Sequence, residues 1–314
     1  MVNAAAAAPK VEWRSSIGPC PICGSTLYRR LGRRGGEAHR ANLGAATWVV
    51  RCRDCHGVYC HPTLEPIGNP YSQHSAEEYF AGQEALSQME AGGQLIAKAE
   101  TLLMRPGARK LLELGCGRGD YLAGAAKQGW SVFGVEMTPE FASVAARKGV
   151  QVEVSSVETS TLLQRENEFD VIYLAAILEH VYRPIECLKQ VHRALVPGGV
   201  VLIDVPNECS LRTRLGNLYM RARGRDWAVN LAPTFPPFHV VGFCPVSLRR
   251  ALSLAGLDEV ELNVVKWRDM LPTRSGFWGG VERLGSAGVT GVAGMIGDGD
   301  GIACWARKPH LSVV

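Results

Sequence analysis

Residues 110–120 read Lys110-Leu-Leu-Glu-Leu-Gly-Cys-Gly-Arg-Gly-Asp120, and this stretch decides the fold. Lys110 to Leu114 has the apolar run of a short buried strand, and Gly115-Cys116-Gly117-Arg-Gly119 follows without a break. Further on, Ser131-Val-Phe-Gly-Val135 predicts a second strand that ends on Glu136. Strand, glycine loop, helix, strand and acid, in that order, describe half of a doubly wound sheet that binds a nucleoside or dinucleotide. The spacing separates those ligands. A dinucleotide fingerprint places its third glycine five residues after the first. Here the third comes four after, and Asp120 takes the next place. Glu113, just before the loop, suits a cationic ligand better than a pyrophosphate. The chain also holds no Tyr-x-x-x-Lys pair for short-chain dehydrogenase chemistry.

Outward from this stretch the α/β alternation continues. Gly149–Val154 predicts a third strand, and Phe169–Leu174 a fourth that runs towards Leu178-Glu-His-Val181. A helix over Ile185–Leu195 stops at Pro197-Gly-Gly199, before a fifth strand at Val200–Val205. Upstream, a helix from Gln83 to Leu103 ends at Arg105-Pro106-Gly107. Such alternation implies a parallel α/β sheet with ligands at the carboxyl ends of its strands.

The front of the chain has a different composition. At about 150 residues per domain, 314 residues suggest two domains. Five of the ten cysteines fall in the first 60 residues. Residues 1–75 carry nine Lys and Arg against four Asp and Glu, and the remainder carries 25 against 26. Cys20-Pro-Ile-Cys23-Gly and Cys52-Arg-Asp-Cys55 are two C-x-x-C pairs with 28 residues between them. Each can occupy a tight turn, and four converging thiolates describe a closed, structural zinc site that activates no water. Disulfide or redox use is the lesser reading. Short strands at Thr26–Arg30 and Thr47–Arg51 would flank a tip at Leu31–Gly36. Cys60 and His61 are either substitute ligands or a core thiol and a loop histidine. Arg29, Arg30, Arg33, Arg34 and Arg40 either meet phosphate or form a solvated face. The longest apolar run, Val171–Leu178, is far below the roughly 18–20 residues of a membrane span. Met1–Ala8 lacks the features of a signal peptide, so a cytoplasmic location is expected.

Together LLELGCGRGD, VFGVE, FDVIYLAAILEHV, LVPGGVVLIDVPN and PPFHVVGFCPVSLRRAL resemble a class I S-adenosylmethionine (SAM)-dependent methyltransferase. More narrowly, residues 18–309 resemble the bacterial type that opens with a C-P-x-C-G … C-x-x-C zinc ribbon, often encoded beside glycan or secondary-metabolite genes. The resemblance implies a Rossmann-like seven-stranded sheet with an antiparallel last strand. Leu257–Val265 would be strand six and Gly301–Arg307 strand seven, separated by a Gly-rich insertion. It divides the chain into a flexible N-terminus (1–17), a zinc ribbon (18–66), a linker with a helical pre-domain (67–106), the methyltransferase domain (107–309) with a lid insertion at about 207–240, and a tail (310–314). It also implies the cofactors, SAM and a structural Zn2+. Gly115, Gly117 and Gly119 would line the methionine part of SAM, with Cys116 among them by position and Glu113 near its charged end. Glu136 would take the ribose hydroxyls and Met137 would pack on the adenine. Ser156 stands where relatives carry an adenine-contacting acid, Val157 keeps a backbone role, and Ala175 borders the sulfonium. Cys20, Cys23, Cys52 and Cys55 would be the metal ligands.

Methyl transfer from a sulfonium needs a base only where the acceptor holds a proton of high pKa. His180 and His239 are the candidate catalytic residues; otherwise they cap or pack the site. Glu208–Arg225 holds five arginines against one acid, either an anion-binding lid or a solvated helix. Cys116, Cys187, Cys209, Cys244 and Cys304 read as buried small residues, and Trp227, Trp267, Trp278 and Trp305 as packing. The leading reading is methylation of a small or carrier-bound metabolite, first at oxygen, with carbon or nitrogen as alternatives. Methylation of ribosomal RNA is the second reading; the basic front supports it, while the near-neutral main domain and the lack of an Asn/Asp-Pro-Pro-Tyr motif oppose it. A non-catalytic SAM-fold binding module is the third, opposed by the intact Glu113, glycine loop and Glu136. No membrane partner is expected, and the oligomeric state is open.

Overall fold

The structure, a computed structural model, describes residues 11–68, 85–103, 107, 109–266 and 297–310. The Met1–Ala8 stretch, Gln83, Arg105, Pro106, Trp267, Trp278 and most of the Gly-rich insertion lie outside the described residues. The front of the chain forms β1 (Trp13–Ser16), β2 (Tyr28–Arg34), β3 (Thr47–Cys52), β4 (Val58–Cys60) and β5 (Thr63–Pro66). Next come α1 (Ala85–Leu102), β6 (Lys110–Leu114), α2 (Asp120–Ala126), β7 (Ser131–Glu136), α3 (Pro139–Arg147), β8 (Gln151–Val154) and β9 (Phe169–Ala175). The rest comprises α4 (Pro184–Ala194), β10 (Leu195–Pro206), α5 (Leu211–Ala222), β11 (Val241–Gly242), α6 (Pro245–Ala255), β12 (Asp258–Val265) and β13 (Gly301–Arg307).

The main sheet has the order β12-β13-β10-β9-β6-β7-β8. Its five strands from β6 to β10 run parallel, and β13 runs antiparallel to both neighbours, as the resemblance implied. Residues Phe169–Leu174 of β9 are all buried, the pattern of a central strand covered on both faces. Helices cover the sheet with helical-period apolar stripes: Cys187, Leu188, Val191 and Ala194 on α4, and Leu248, Ala251, Leu252 and Ala255 on α6. The chain moves outward from β6 to β8 and then returns to place β9 on the other side of β6. That reversal opens a crevice at the strands' carboxyl ends.

Three expectations change. Pro197-Gly198-Gly199 does not separate helix from strand: α4 ends at Ala194, β10 starts at Leu195, and the three residues fall within a register shift between Leu195 and Val200. The N-terminus is ordered from β1, which pairs antiparallel with β5. Third, Leu31–Arg34 is strand and not tip, because β2 keeps its pairing with β3 past a bulge between Arg30 and Gly32, and the lid supplies partners on its other edge. Arg33 N–H donates to Asp226 O at 2.5 Å, and Ala228 N–H donates to Arg33 O at 2.9 Å.

The ribbon is therefore built into the main domain. Its sheet has the order β11-β4-β3-β2, and β11 comes from the end of the lid. Cys20, Ile22, Cys52, Cys55 and Tyr59 share one apolar cluster with Leu178, Val181, Val240, Phe243 and Leu248. Leu31, Val49, Val58 and Cys60 form another with Ala228 and Leu231 of the lid. Arg34 is consumed in this junction: its Nε donates to Leu231 O at 3.0 Å and its guanidinium lies 5.0 Å from the Phe235 ring centre.

Candidate active site and four-cysteine cluster

The C-x-x-C turns form as their sequences dictate. Gly24 adopts φ +74°, and its N–H donates to Cys20 O at 2.9 Å. Cys20 and Cys55 sulfurs stand 3.6 Å apart, Cys23 and Cys52 sulfurs 3.5 Å, and all four lie within 4.8 Å of one another. Disulfide sulfurs would be about 2.05 Å apart. Zn–S bonds of about 2.3 Å in a tetrahedron give sulfur separations of about 3.8 Å, so the four thiols fit that ion. Cys60 is outside this set, in the ribbon–lid cluster, and the His61 ring packs 4.7 Å from that of Tyr28.

The crevice over β6, β7, β9 and β10 is a cavity of about 760 Å³. Glu113, Gly115, Cys116, Gly117, Glu136, Met137, Ser156, Val157, Ala175, His180 and His239 all line it. Gly119 does not. It begins α2 at φ +68°, and a Cβ there would meet that of Ala145 at 2.8 Å, so it serves packing beneath the loop. Cys116 lines the cavity and also packs beneath it. Its sulfur packs on the sheet, 2.5 Å from where a Cβ on Gly134 would stand.

Gly115 and Gly117 turn the loop with φ of +66° and +52°. The Glu136 carboxylate ties it down, accepting from Gly117 N–H at 3.0 Å and Thr138 N–H at 2.8 Å. Burial raises the Glu136 pKa. Glu113 is buried, and its Oε2 has no hydrogen-bond partner among the described residues. Burial, then the nearby Asp120 and Glu136, push its pKa well up. Asp120 is itself neutralised by ion pairs with Arg118 and Lys148. Ser156 makes a local contact, its hydroxyl 3.1 Å from that of Thr159.

Across the cavity, a short turn at Leu178–His180 follows β9. The His180 and His239 rings meet edge to face at 4.8 Å, and His239 Nε2 lies 3.8 Å from Glu179 Oε1. Burial lowers the histidine pKa values to about 4 and about 3, so both are neutral at pH 7. Burial raises Glu179 to about 8. Beside them Tyr173 OH donates to Asp204 at 2.8 Å, and the Tyr121 ring meets Tyr173 edge-on. Glu179 and Asp204 were not singled out from the sequence. The available signals were the Glu179-His180 pair itself, and the position of Asp204 near the end of its strand, as Glu113 and Glu136 are near theirs.

Seven acids line the cavity, and among the described lining residues only Arg118 is basic apart from His180 and His239. The arginine-rich lid segment does not contribute. Arg212 and Arg214 pair with Asp300 and Asp298, while Arg223 and Arg225 line a separate hollow of about 300 Å³ with Arg40 and Trp227. An anionic acceptor gripped by the lid arginines is thus not the arrangement found.

Fold and cavity together define a class I SAM-dependent methyltransferase. A family model described as a methyltransferase domain matches residues 86–262, over half the chain, and the chain belongs to that family. Among curated proteins it is 27% identical over 175 residues to the ubiquinone biosynthesis O-methyltransferase of Cereibacter sphaeroides, covering 52% of this chain and 68% of that one. To the protein of the same name from Pseudomonas aeruginosa it is 31% identical over 104 residues, covering 32% of this chain and 45% of that one. The chain thus spans between about half and two thirds of these relatives. A solved structure of the plantazolicin methyltransferase BpumL in complex with SAH aligns with a TM-score of 0.50 at 13% identity, over 77% of this chain and 92% of that one, a likeness of fold. Among the described residues no helix is long and apolar enough to cross a membrane.

Proposed function

We propose that the enzyme transfers a methyl group from SAM to an oxygen of a small or carrier-bound metabolite. The buried, unpartnered carboxylate oxygen of Glu113 beside the glycine loop carries the cofactor part of this reading. An unpaired buried acid is costly, and a cationic ligand offsets the cost. When bound, SAM supplies an activated methyl group on a sulfonium. Gly115 and Gly117 admit it close to the main chain, Glu113 meets its charged end, and Glu136 has lone pairs left for ribose hydroxyls. Met137 packs on the adenine, with Ser156 and the Val157 main chain at its edge, and Ala175 borders the sulfonium. His180 and His239 face the acceptor; either, neutral at pH 7, can accept a hydroxyl proton. The names of the curated relatives favour oxygen as the methylated atom.

In this reading the four cysteines hold a structural zinc, and residues 18–66 and about 207–240 act as one unit seated on the catalytic domain. The unpaired state of all ten cysteines suits a reducing compartment, the cytoplasm. A ribosomal RNA substrate is disfavoured because part of the basic front is occupied internally: Arg34 is built into the lid junction and Arg33 pairs with Glu37.

Calorimetric titration with SAM tests the proposal. Glu136→Ala should lower affinity at least about tenfold, the scale of lost hydrogen bonds to a charged group. Unchanged binding in that variant, or none in the wild type, refutes it. His180→Ala and His239→Ala should bind SAM normally while turnover on a hydroxylated acceptor falls by roughly 100-fold or more.

A further inference from the structure

We propose that Glu179, His180 and His239 bind a divalent transition-metal ion at the acceptor end of the cavity. The methyl-transfer reading bears on what the ion does there, and not on whether it binds.

One carboxylate oxygen and one nitrogen from each imidazole lie within 4.8 Å of one another. Ligand atoms about 2.1 Å from a common metal stand roughly 3 to 3.5 Å apart, so the set closes around an ion with side-chain shifts of an ångström or so. The Glu179–His239 separation of 3.8 Å is too long for a hydrogen bond and close to the separation of two ligands on one ion. The two rings are close to perpendicular and do not stack.

Glu179 supplies a second, independent observation. It is 1% exposed, and neither carboxylate oxygen has a hydrogen-bond partner among the described residues. Apart from the two histidines, the only basic side chain among the described lining residues is Arg118, which is engaged with Asp120 on the glycine loop. The structure buries an acid without a counter-charge, and a dication held jointly with two imidazoles supplies one.

The backbone holds the three residues in place. Val240 N–H donates to Glu179 O at 2.8 Å, and Ala232 N–H donates to His239 O at 3.2 Å. Ala176 and Phe238, on the two segments that carry the ligands, have φ of 51° and 63°, a left-handed conformation that side chains other than glycine rarely adopt. Strained residues of this kind gather at functional sites, where the surrounding structure holds them.

Two histidines and one carboxylate, with further positions open to the cavity, suit Mn2+, Fe2+, Co2+ or Zn2+. With the imidazole nitrogens on the ion instead of acting as proton acceptors, the ion binds the acceptor hydroxyl and lowers its pKa, and the proton leaves to water. An oxygen lone pair then forms the C–O bond as the S–CH3 bond breaks, its electron pair remaining on sulfur. The product is a methyl ether and a neutral thioether, with no redox change.

Mn2+ distinguishes this site from the four cysteines, since it prefers oxygen and nitrogen donors to thiolate. The full chain, freed of loosely held metal by dialysis against metal-free buffer so that the four-cysteine site keeps its ion, is titrated with Mn2+ and followed by electron paramagnetic resonance. One bound ion per chain is expected. Glu179→Gln and His239→Ala should each weaken binding at least tenfold, and Glu179→Asp should restore part of it. SAM affinity, measured separately on the same samples, should be unchanged and reports that the variants are folded. A wild type that binds SAM but neither Mn2+ nor Co2+ overturns the proposal. So does equal Mn2+ affinity in folded variants, which would leave Glu179 and His239 as an acid–base pair only. Metal binding lost in the variants, in a protein that binds no SAM, would uphold this site and defeat the methyl-transfer reading.

Discussion

In the proposed reading, Glu113 sets function against stability. Its carboxyl is buried beside two other acids, and its pKa is raised well above the ordinary carboxyl value of 4.5. At pH values between those two pKa values, the native state binds the proton and the unfolded chain has lost it. Stability of the ligand-free enzyme therefore falls as pH rises through that window. Glu113→Gln removes the charge and keeps the shape. We expect its thermal midpoint to exceed that of the wild type by at least ~2 °C at pH 8, with little difference at pH 4. SAM affinity should fall at least about tenfold, because a charge-assisted contact is lost. Scanning calorimetry at the two pH values and a SAM titration check this; a less stable variant at pH 8 would show that Glu113 is compensated in the free enzyme. The same residue shows what was legible in the sequence. An acid two residues before a glycine loop is fixed near the carboxyl end of its strand by the strand–loop–helix order, so its place near the cavity follows from spacing. Its lack of a partner does not follow, because it depends on Asp120 being neutralised by Lys148, a residue 28 positions away.

At the scale of elements, the least conspicuous strand has the largest reach. β11 is two residues long, pairing Val241 with Tyr59 and Gly242 with Val58. Two residues carry no periodicity, so the strand existed for a reader of the sequence only as part of the PPFHVVG motif. Yet it fixes His239, two positions upstream, between the ribbon and the Glu179 main chain. Arg34 was equally hidden, since nothing in Arg33-Arg34 tells which of the two the lid will bury. The α/β alternation was legible because five strands and their helices each obey a period, and pairing follows from it. A Cβ on Gly242 would stand 2.5 Å from Glu208 Cγ and 3.0 Å from Leu231 Cδ2. Glu208 cannot easily yield, since Asn230 and Leu231 N–H hold its carboxylate. Gly242→Val should therefore displace β11 and carry His239 with it. If His239 acts as proposed, a displacement of about 1 Å there costs up to roughly 100-fold in rate. We expect turnover to fall by ~10- to 100-fold with SAM affinity intact; wild-type turnover would uncouple β11 from the site.

For the whole molecule, the shared core predicts how the chain comes apart. A ribbon joined by a linker would melt separately, with its metal as its only reason to fold. Here the cysteine turns pack in the same apolar cluster as β6, β9, β10 and α6. Arg51 of β3 reaches across to donate to Glu208 O at 3.1 Å, and Tyr182 OH donates back to Leu64 O at 2.9 Å. Losing the four-cysteine geometry thus exposes surface that the catalytic domain needs covered, including the ground beneath β11. A metal that binds the native state alone adds its binding free energy to the stability of everything that unfolds with it. Cys52→Ser should therefore lower a single, shared transition by roughly 5–10 °C instead of adding an early one, since each kcal/mol shifts a chain of this size by about 1.5 °C. Intrinsic tryptophan fluorescence and the loss of SAM binding should follow the same curve. Two separated transitions, with SAM binding surviving the first, would show that the ribbon is an independent module after all.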